Sequence, residues 1–109
     1  MELTRDKNGE TLVFAIKGRL DAQTSPQAEK DLKQWLAEGE KKLVGDLSGL
    51  DYISSAGLRL MLMVAKGSKG QGGSLCLYGL KPSVNEVFTI AGFTKIIPIA
   101  ASLDEALAV

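Results

Sequence analysis

The sequence predicts a mixed α/β fold, in which an opening hairpin leads into strands that alternate with helices, with about four helices packed on the sheet. Three observations carry this reading. Asn8-Gly9 separates two short strand-like stretches, the signal of a type I′ hairpin. From Thr24 onward, segments with helical apolar spacing alternate with short apolar runs. Helix-start chemistry recurs at Pro26, Pro82 and Ser102, each just ahead of a helical pattern.

The elements follow in order. Glu2 to Arg5 and Thr11 to Lys17 form the first two strands, with Leu12, Phe14 and Ile16 alternating against milder neighbours. Gly18-Arg-Leu-Asp21 leaves the second strand. Thr24-Ser25-Pro26 starts a helix that runs to about Glu38, where Ala28, Leu32, Trp35 and Leu36 make its buried stripe. Gly39 is its stop. Lys42 to Leu47 reads as a central parallel strand, because a helix precedes it and another follows. The second helix spans about Ala56 to Lys66. It is apolar on nearly every face, so it is packed on both sides or lies beneath a partner. Gly67 to Gly73 is a glycine-rich turn, since it follows a helix and precedes a strand, the reverse of a phosphate-cradling loop. Gly72 to Tyr78 forms a strand. Lys81-Pro82-Ser83 opens a third helix, which ends near Ala91-Gly92. Ile96 to Ile99 is a short edge strand interrupted by Pro98. Ser102 caps a last helix over Leu103 to Ala108, with Asp104 and Glu105 suiting its dipole.

Composition excludes several functions. The 109 residues are expected to form one domain, 1–109, without repeats or linkers. Lys and Arg total 13, Asp and Glu total 13, and the net charge of +0 makes no case for nucleic acid or an anionic membrane. No apolar run approaches the roughly 18 residues of a membrane span. The Met1-to-Lys7 segment is too charged for a signal peptide, so a cytoplasmic protein is expected. There is no His, which removes the Ser-His-Asp triad, the imidazole base and the ordinary zinc site. No catalytic residue, metal or cofactor is expected. Cys76, the lone cysteine, reads as a small core residue in a strand.

The segment from Asp46 to Arg59 holds the chemistry. Ser54 and Ser55 sit where a strand hands over to an apolar helix. A helix start presents about four N–H groups without intrahelical partners and partial positive charge. A Ser there is either a cap or a place where an added phosphate is tolerated. Asp21 and Asp46 are expected to flank this loop from the same sheet edge, as partner contacts or as strand-end caps. Arg59 stands as a partner contact, a mate for a loop phosphate or a solvated residue. Met61 and Leu62 fill either the core or an interface, and Gly57 permits close backbone approach.

These residues, taken together, resemble the STAS domain in its small form, the anti-sigma factor antagonist. Gly18-Arg-Leu-Asp21 resembles the family's first loop, Val44-Gly-Asp-Leu47 its central strand, and Tyr52-Ile-Ser-Ser-Ala-Gly-Leu-Arg59 its phosphorylation loop. Gly92-Phe93 with Ile96 and Ile97 resembles its closing segment. The resemblance covers nearly the whole chain. It implies a non-enzymatic switch, in which the unmodified form binds a serine kinase that is also the anti-sigma factor or a related switch protein, and so frees a sigma factor or other target. Phosphorylation of one loop Ser abolishes binding, and a PP2C-type phosphatase restores it. The family's loop commonly reads Asp-Ser-Ser/Thr-Gly. Aligned on Gly57, its Asp falls at Ser54, its target at Ser55 and its next hydroxyl at Ala56. Ser55 is therefore the expected acceptor and Ser54 the alternative. The implied partner surface comprises Asp21, Asp46, Ser54, Ala56, Gly57, Leu58, Arg59, Met61 and Leu62, on a monomer or weak dimer. Other small members of the family serve a sensory complex or a transport assembly, or bind a small ligand or nucleotide, and these are the competing readings.

Overall fold

Strand β1 (Glu2–Asn8) pairs antiparallel with the long strand β2 (Thr11–Leu20) throughout its length, from Glu2 against Lys17 to Asn8 against Thr11. The computed structural model describes Met1–Val109. The hairpin turn is Gly9-Glu10, one residue beyond the expected Asn8-Gly9. Gly9 alone takes positive φ (62°), so the turn is not type I′, which needs positive φ at both central residues.

After helix α1 (Ser25–Ala37), strand β3 (Lys42–Asp46) runs parallel to β2, and the chain then makes a further short strand, β4 (Leu50–Ile53). This strand was not expected. It extends the ladder along the end of β2, which does not leave the sheet at Gly18 but continues to Leu20 through a register shift at Gly18/Arg19. Helix α2 (Ser55–Gly70), strand β5 (Ser74–Tyr78) and helix α3 (Pro82–Ile90) follow. A 3-10 turn at Phe93–Lys95, strand β6 (Ile99–Ala100) and helix α4 (Leu103–Leu107) close the chain. The sheet order is β1-β2-β3-β5-β6, with β4 beside β2. The result is the expected mixed sheet with four helices.

Two boundaries moved for local reasons. Helix α2 continues past Lys66 into the glycine-rich stretch. There the absence of a side chain at Gly67 makes room for Leu36 of α1; a Cβ would stand 2.9 Å from Leu36 Cδ1. The last strand starts after Pro98 and not at Ile96, because Ile97 N is already donating to Phe93 O (2.8 Å) and Pro98 has no N–H.

The alternation of side chains divides the interior. Leu12, Phe14 and Ile16 of β2, Leu43 of β3, and Leu75 and Leu77 of β5 face one side, where α1, α2 and α3 supply Leu32, Met61, Val64 and Phe88. Val44 and Cys76 point to the other face and meet Ala106 of α4. Burial pushes the Cys76 thiol above its usual pKa, which keeps it protonated and unreactive. Trp35, expected in the core, is only half-buried, packed beside it with the Arg5 guanidinium over its ring at 5.2 Å.

Candidate functional site

The site is built where β2 and β4 end together. Arg19 pairs with Tyr52 and Leu20 with Ile53, so Asp21 and Ser54 leave the sheet side by side. Ser54 N donates to Leu20 O at 2.9 Å, which fixes the two strand ends to one another. Helix α2 begins at once. Ser54, with extended backbone (φ −97°, ψ 177°), is its N-cap, and its hydroxyl accepts from Gly57 N at 3.4 Å. The first helical bond runs from Leu58 N to Ser54 O (2.9 Å).

The two serines therefore differ. Ser54 is half-buried and occupied on both its backbone N–H and its hydroxyl. Ser55 is exposed, and no hydrogen bond within the chain engages its hydroxyl. It stands on the first turn of a 16-residue helix, where free N–H groups and the helix dipole favour an anion.

Gly57 explains how the helix start comes so close to the sheet. A Cβ there would stand 2.7 Å from Ile53 Cγ1, 2.9 Å from the Leu20 carbonyl oxygen and 3.1 Å from Leu20 Cγ. Only glycine lets α2 enter at this distance.

Asp21 is locked into the neighbouring loop. Its Oδ1 accepts from Gln23 N (3.0 Å) and Thr24 N (3.1 Å). The Thr24 hydroxyl accepts from Asp21 N (2.9 Å) and donates to Arg19 O (2.8 Å). The other carboxylate oxygen faces Arg19 Nε at 3.7 Å. The Thr24 N–H leads the bonds that hold the Asp21 carboxyl below the usual carboxylate range, with the Gln23 N–H and Arg19 adding to it. Arg19 in turn lies over the Tyr52 ring, 4.1 Å from its centre. Tyr52 is 41% exposed, so a cation stacked on an aromatic ring faces solvent beside the serines. Neither Arg19 nor Tyr52 was expected at the site. Their meeting depends on β4, and no local pattern announced that strand.

Other expected residues fall elsewhere. Asp46 is not at this edge. It pairs with Ala15, six residues short of Asp21 along β2, or about 20 Å at roughly 3.3 Å per residue. Its carboxylate accepts from Ser48 N (3.0 Å) and Ser48 Oγ (2.7 Å), which shapes the turn between β3 and β4. Burial would raise its pKa, but the bonds from Ser48 and Tyr78 and the charge of Lys17 outweigh that and hold it low. Met61 is fully buried in the core and so has no surface to offer a partner, and Gly57 is buried as well. On an all-apolar helix the sequence does not say which residue faces inward. Leu58 is half-buried against the core. Asp21, Ser54, Ser55, Ala56, Arg59 and Leu62 remain at the surface on the first two turns of α2 and the loop beside it. No group of three or more His, Cys, Asp or Glu side chains gathers as metal ligands, and no helix is long and apolar enough to cross a membrane.

A mixed sheet whose second helix opens on an exposed serine, beside a locked acidic loop, defines a small module with one prepared edge. Family comparison gives that module its class: the STAS domain family model matches residues 2–106, and the chain belongs to this family. BtrV of Bordetella bronchiseptica, named as a candidate anti-sigma factor antagonist, is 44% identical over 99% of this chain and 93% of its own. The anti-sigma-B factor antagonist of Bacillus subtilis is 33% identical over 90% of this chain and 89% of its own. Among solved structures, an anti-sigma factor antagonist candidate from Thermotoga maritima superposes with a TM-score of 0.92 at 19% identity, over 97% of this chain and 92% of that one.

Proposed function

We propose that this chain is an anti-sigma factor antagonist that works by partner switching, with Ser55 as its phosphoacceptor. The observation that carries the reading is the exposed, unbonded Ser55 hydroxyl at the start of α2, beside the locked Asp21 loop. The 44% identity to BtrV along almost the whole chain supports the antagonist role. The unmodified edge binds a serine kinase that is itself an anti-sigma factor, and so releases the sigma factor. Phosphate adds roughly −1.5 to −2 charges at neutral pH. At a helix start the fold tolerates that charge, whereas a partner surface closed over a neutral serine does not. A loss of about 3 kcal/mol in binding weakens the complex more than a hundredfold. A PP2C-type phosphatase resets the switch. The module is a binding protein and performs no catalytic step.

The test is incubation of the purified protein with its cognate serine kinase and ATP, followed by intact mass and peptide mapping. One added phosphate at Ser55, absent in Ser55→Ala, is the expected result. Phosphate confined to Ser54, or no transfer by a kinase that binds the protein, overturns the Ser55 assignment. Release of a target other than a sigma factor from that kinase assigns the module to a different pathway.

A further inference from the structure

Helix α2 carries Arg59, Lys66 and Lys69 and not one acidic residue, although the whole chain balances 13 basic against 13 acidic side chains. Charge is segregated onto this helix. The ion pairs of the structure lie elsewhere, and none involves these three cations. Arg59, Leu62, Met63 and Lys66 fall at helical spacings of three and four and form one stripe, which lines a shallow depression of about 370 Å³. At Arg59 this depression meets a second cleft, of about 480 Å³, between the starts of α1 and α2, with Pro26 and Glu29 on one wall and Ala56 on the other. Leu62 packs on neither apolar cluster of the interior, and Met63 is only half-buried. Two half-buried apolar side chains thus sit between two unpaired cations, Met63 resting against the main core and Leu62 outside it.

We propose that this stripe docks an acidic amphipathic helix of the partner protein. The inference rests on the antagonist reading and deepens it by naming what the partner offers. Charge complementarity sets the chemistry. Arg59 and Lys66 stand two turns apart, about 10 Å along the axis, so the docking helix presents carboxylates about two turns apart with apolar side chains between them. Leu62 and the adaptable Met63 receive those apolar side chains. The shallow depression between Arg59 and Lys66 takes the apolar ridge of such a helix. Glu29, the acid on the cleft wall, is engaged by Lys33 at 3.4 Å, so the incoming carboxylate seats on the Arg59 side.

The stripe also connects to the switch. Ser55 precedes Arg59 by four residues and is its neighbour on the helix surface. A phosphate on Ser55 takes up the Arg59 guanidinium, and the docking helix loses its first cationic contact.

Calorimetric titration of the cognate kinase against wild type, Arg59→Glu, Lys66→Glu and Lys30→Glu tests the proposal. Lys30 is an exposed lysine of α1 outside the stripe and controls for net charge. Each stripe reversal is expected to weaken binding at least tenfold, and Lys30→Glu to leave it within twofold. Raising salt from about 50 to about 300 mM is expected to weaken the wild-type complex and to have little effect on the double reversal. Thermal melts check the fold, and Arg59→Gln with Lys66→Gln replace any reversal that melts early. Wild-type affinity in both stripe variants overturns the proposal, as does equal weakening by Lys30→Glu. It is equally overturned if the stripe variants lose binding to phosphatidylglycerol vesicles, or lose self-association, while the kinase still binds them at wild-type strength. A kinase that fails to bind wild type overturns the antagonist reading itself, and the stripe as its docking face with it.

Discussion

Gly57→Ala tests whether the close approach of α2 to the sheet holds the switch loop in place. Helix propensity alone favours the change by up to about 1 kcal/mol, because alanine loses less backbone entropy than glycine in a helix. Packing opposes it. The new methyl would stand 2.7 Å from Ile53 Cγ1 and 2.9 Å from the Leu20 carbonyl oxygen, both well inside ordinary contact. The Ile53 side chain is itself buried, and the Leu20 carbonyl is held in place by the hydrogen bond from Ser54 N, so neither yields cheaply. Overpacking of this kind costs about 1–3 kcal/mol. A net destabilisation of about 1–2 kcal/mol is expected, which for a domain of this size lowers the melting temperature by roughly 5–10 °C. The helix start must also shift away from β4 and carry Ser54 and Ser55 with it, so phosphate transfer by the cognate kinase slows. Thermal unfolding and timed intact-mass assays on the same samples read both effects. A melting temperature at or above wild type, with unchanged phosphorylation, would show that α2 has room at its start and that the contact geometry does not position the loop.

Three further outcomes follow from the same geometry. Met61→Ala, which empties a fully buried site, is expected to cost about 2–5 kcal/mol in denaturant unfolding, and Met61→Glu to prevent folding; a stable Met61→Glu protein would return this residue to the surface. Ser55→Glu places a carboxylate where the helix start favours an anion, so stability should hold or rise by about 0.3–1 kcal/mol while kinase binding falls at least tenfold; a sharp loss of stability would show that the position is not open. Asp21 and Asp46 both have folded pKa values below the unfolded value of about 3.9, so their stabilisation is complete above that pH and is lost as pH falls through the lower folded values. Melting temperature should therefore drop on the acid side of about pH 4, and Asp46→Asn should flatten that drop; an unchanged acid limb in Asp46→Asn would mean that the Ser48 and Tyr78 bonds do not favour its charged form.

What was legible in the sequence was whatever a few adjacent residues decide. Pro26 and Pro82 fall in the first turns of α1 and α3, and Ser102 caps α4 by accepting from Glu105 N at 3.2 Å, all as expected. The overall order of strands and helices was legible for the same reason. Strand β4 was not, because Leu50–Ile53 is four residues long and follows a turn whose Asp46–Ser48 bonds are equally at home at a strand end. It is a strand only because β2 is long enough to pair with it, and β2 is long only because its chain passes Gly18 with a register shift. Each half of that pairing depends on the other, and neither is written in its own segment. The burial of Met61 was equally hidden. On a helix apolar almost all round, the inward face is chosen by α1 and the sheet.

The missed strand is also what makes the serine edge rigid. Without β4, a helix starting directly after Asp46 would stand level with Ala15, in the middle of β2. With it, the helix starts level with Leu20, and three separate restraints act within a few residues. Ser54 is tied to Leu20, Gly57 is pressed against the same carbonyl, and Asp21 is closed into its loop by Thr24. Ordering a mobile side chain at an interface costs about 0.5–1.5 kcal/mol, and these groups are ordered before any partner arrives. Pre-ordering has a second consequence for a switch. An edge fixed by its own backbone bonds does not rearrange when a charge is added to the one hydroxyl those bonds leave free. In the proposed switch, a phosphate on Ser55 would then change what the surface presents, not where it is, and the affinity difference between the two states would rest on charge and fit alone.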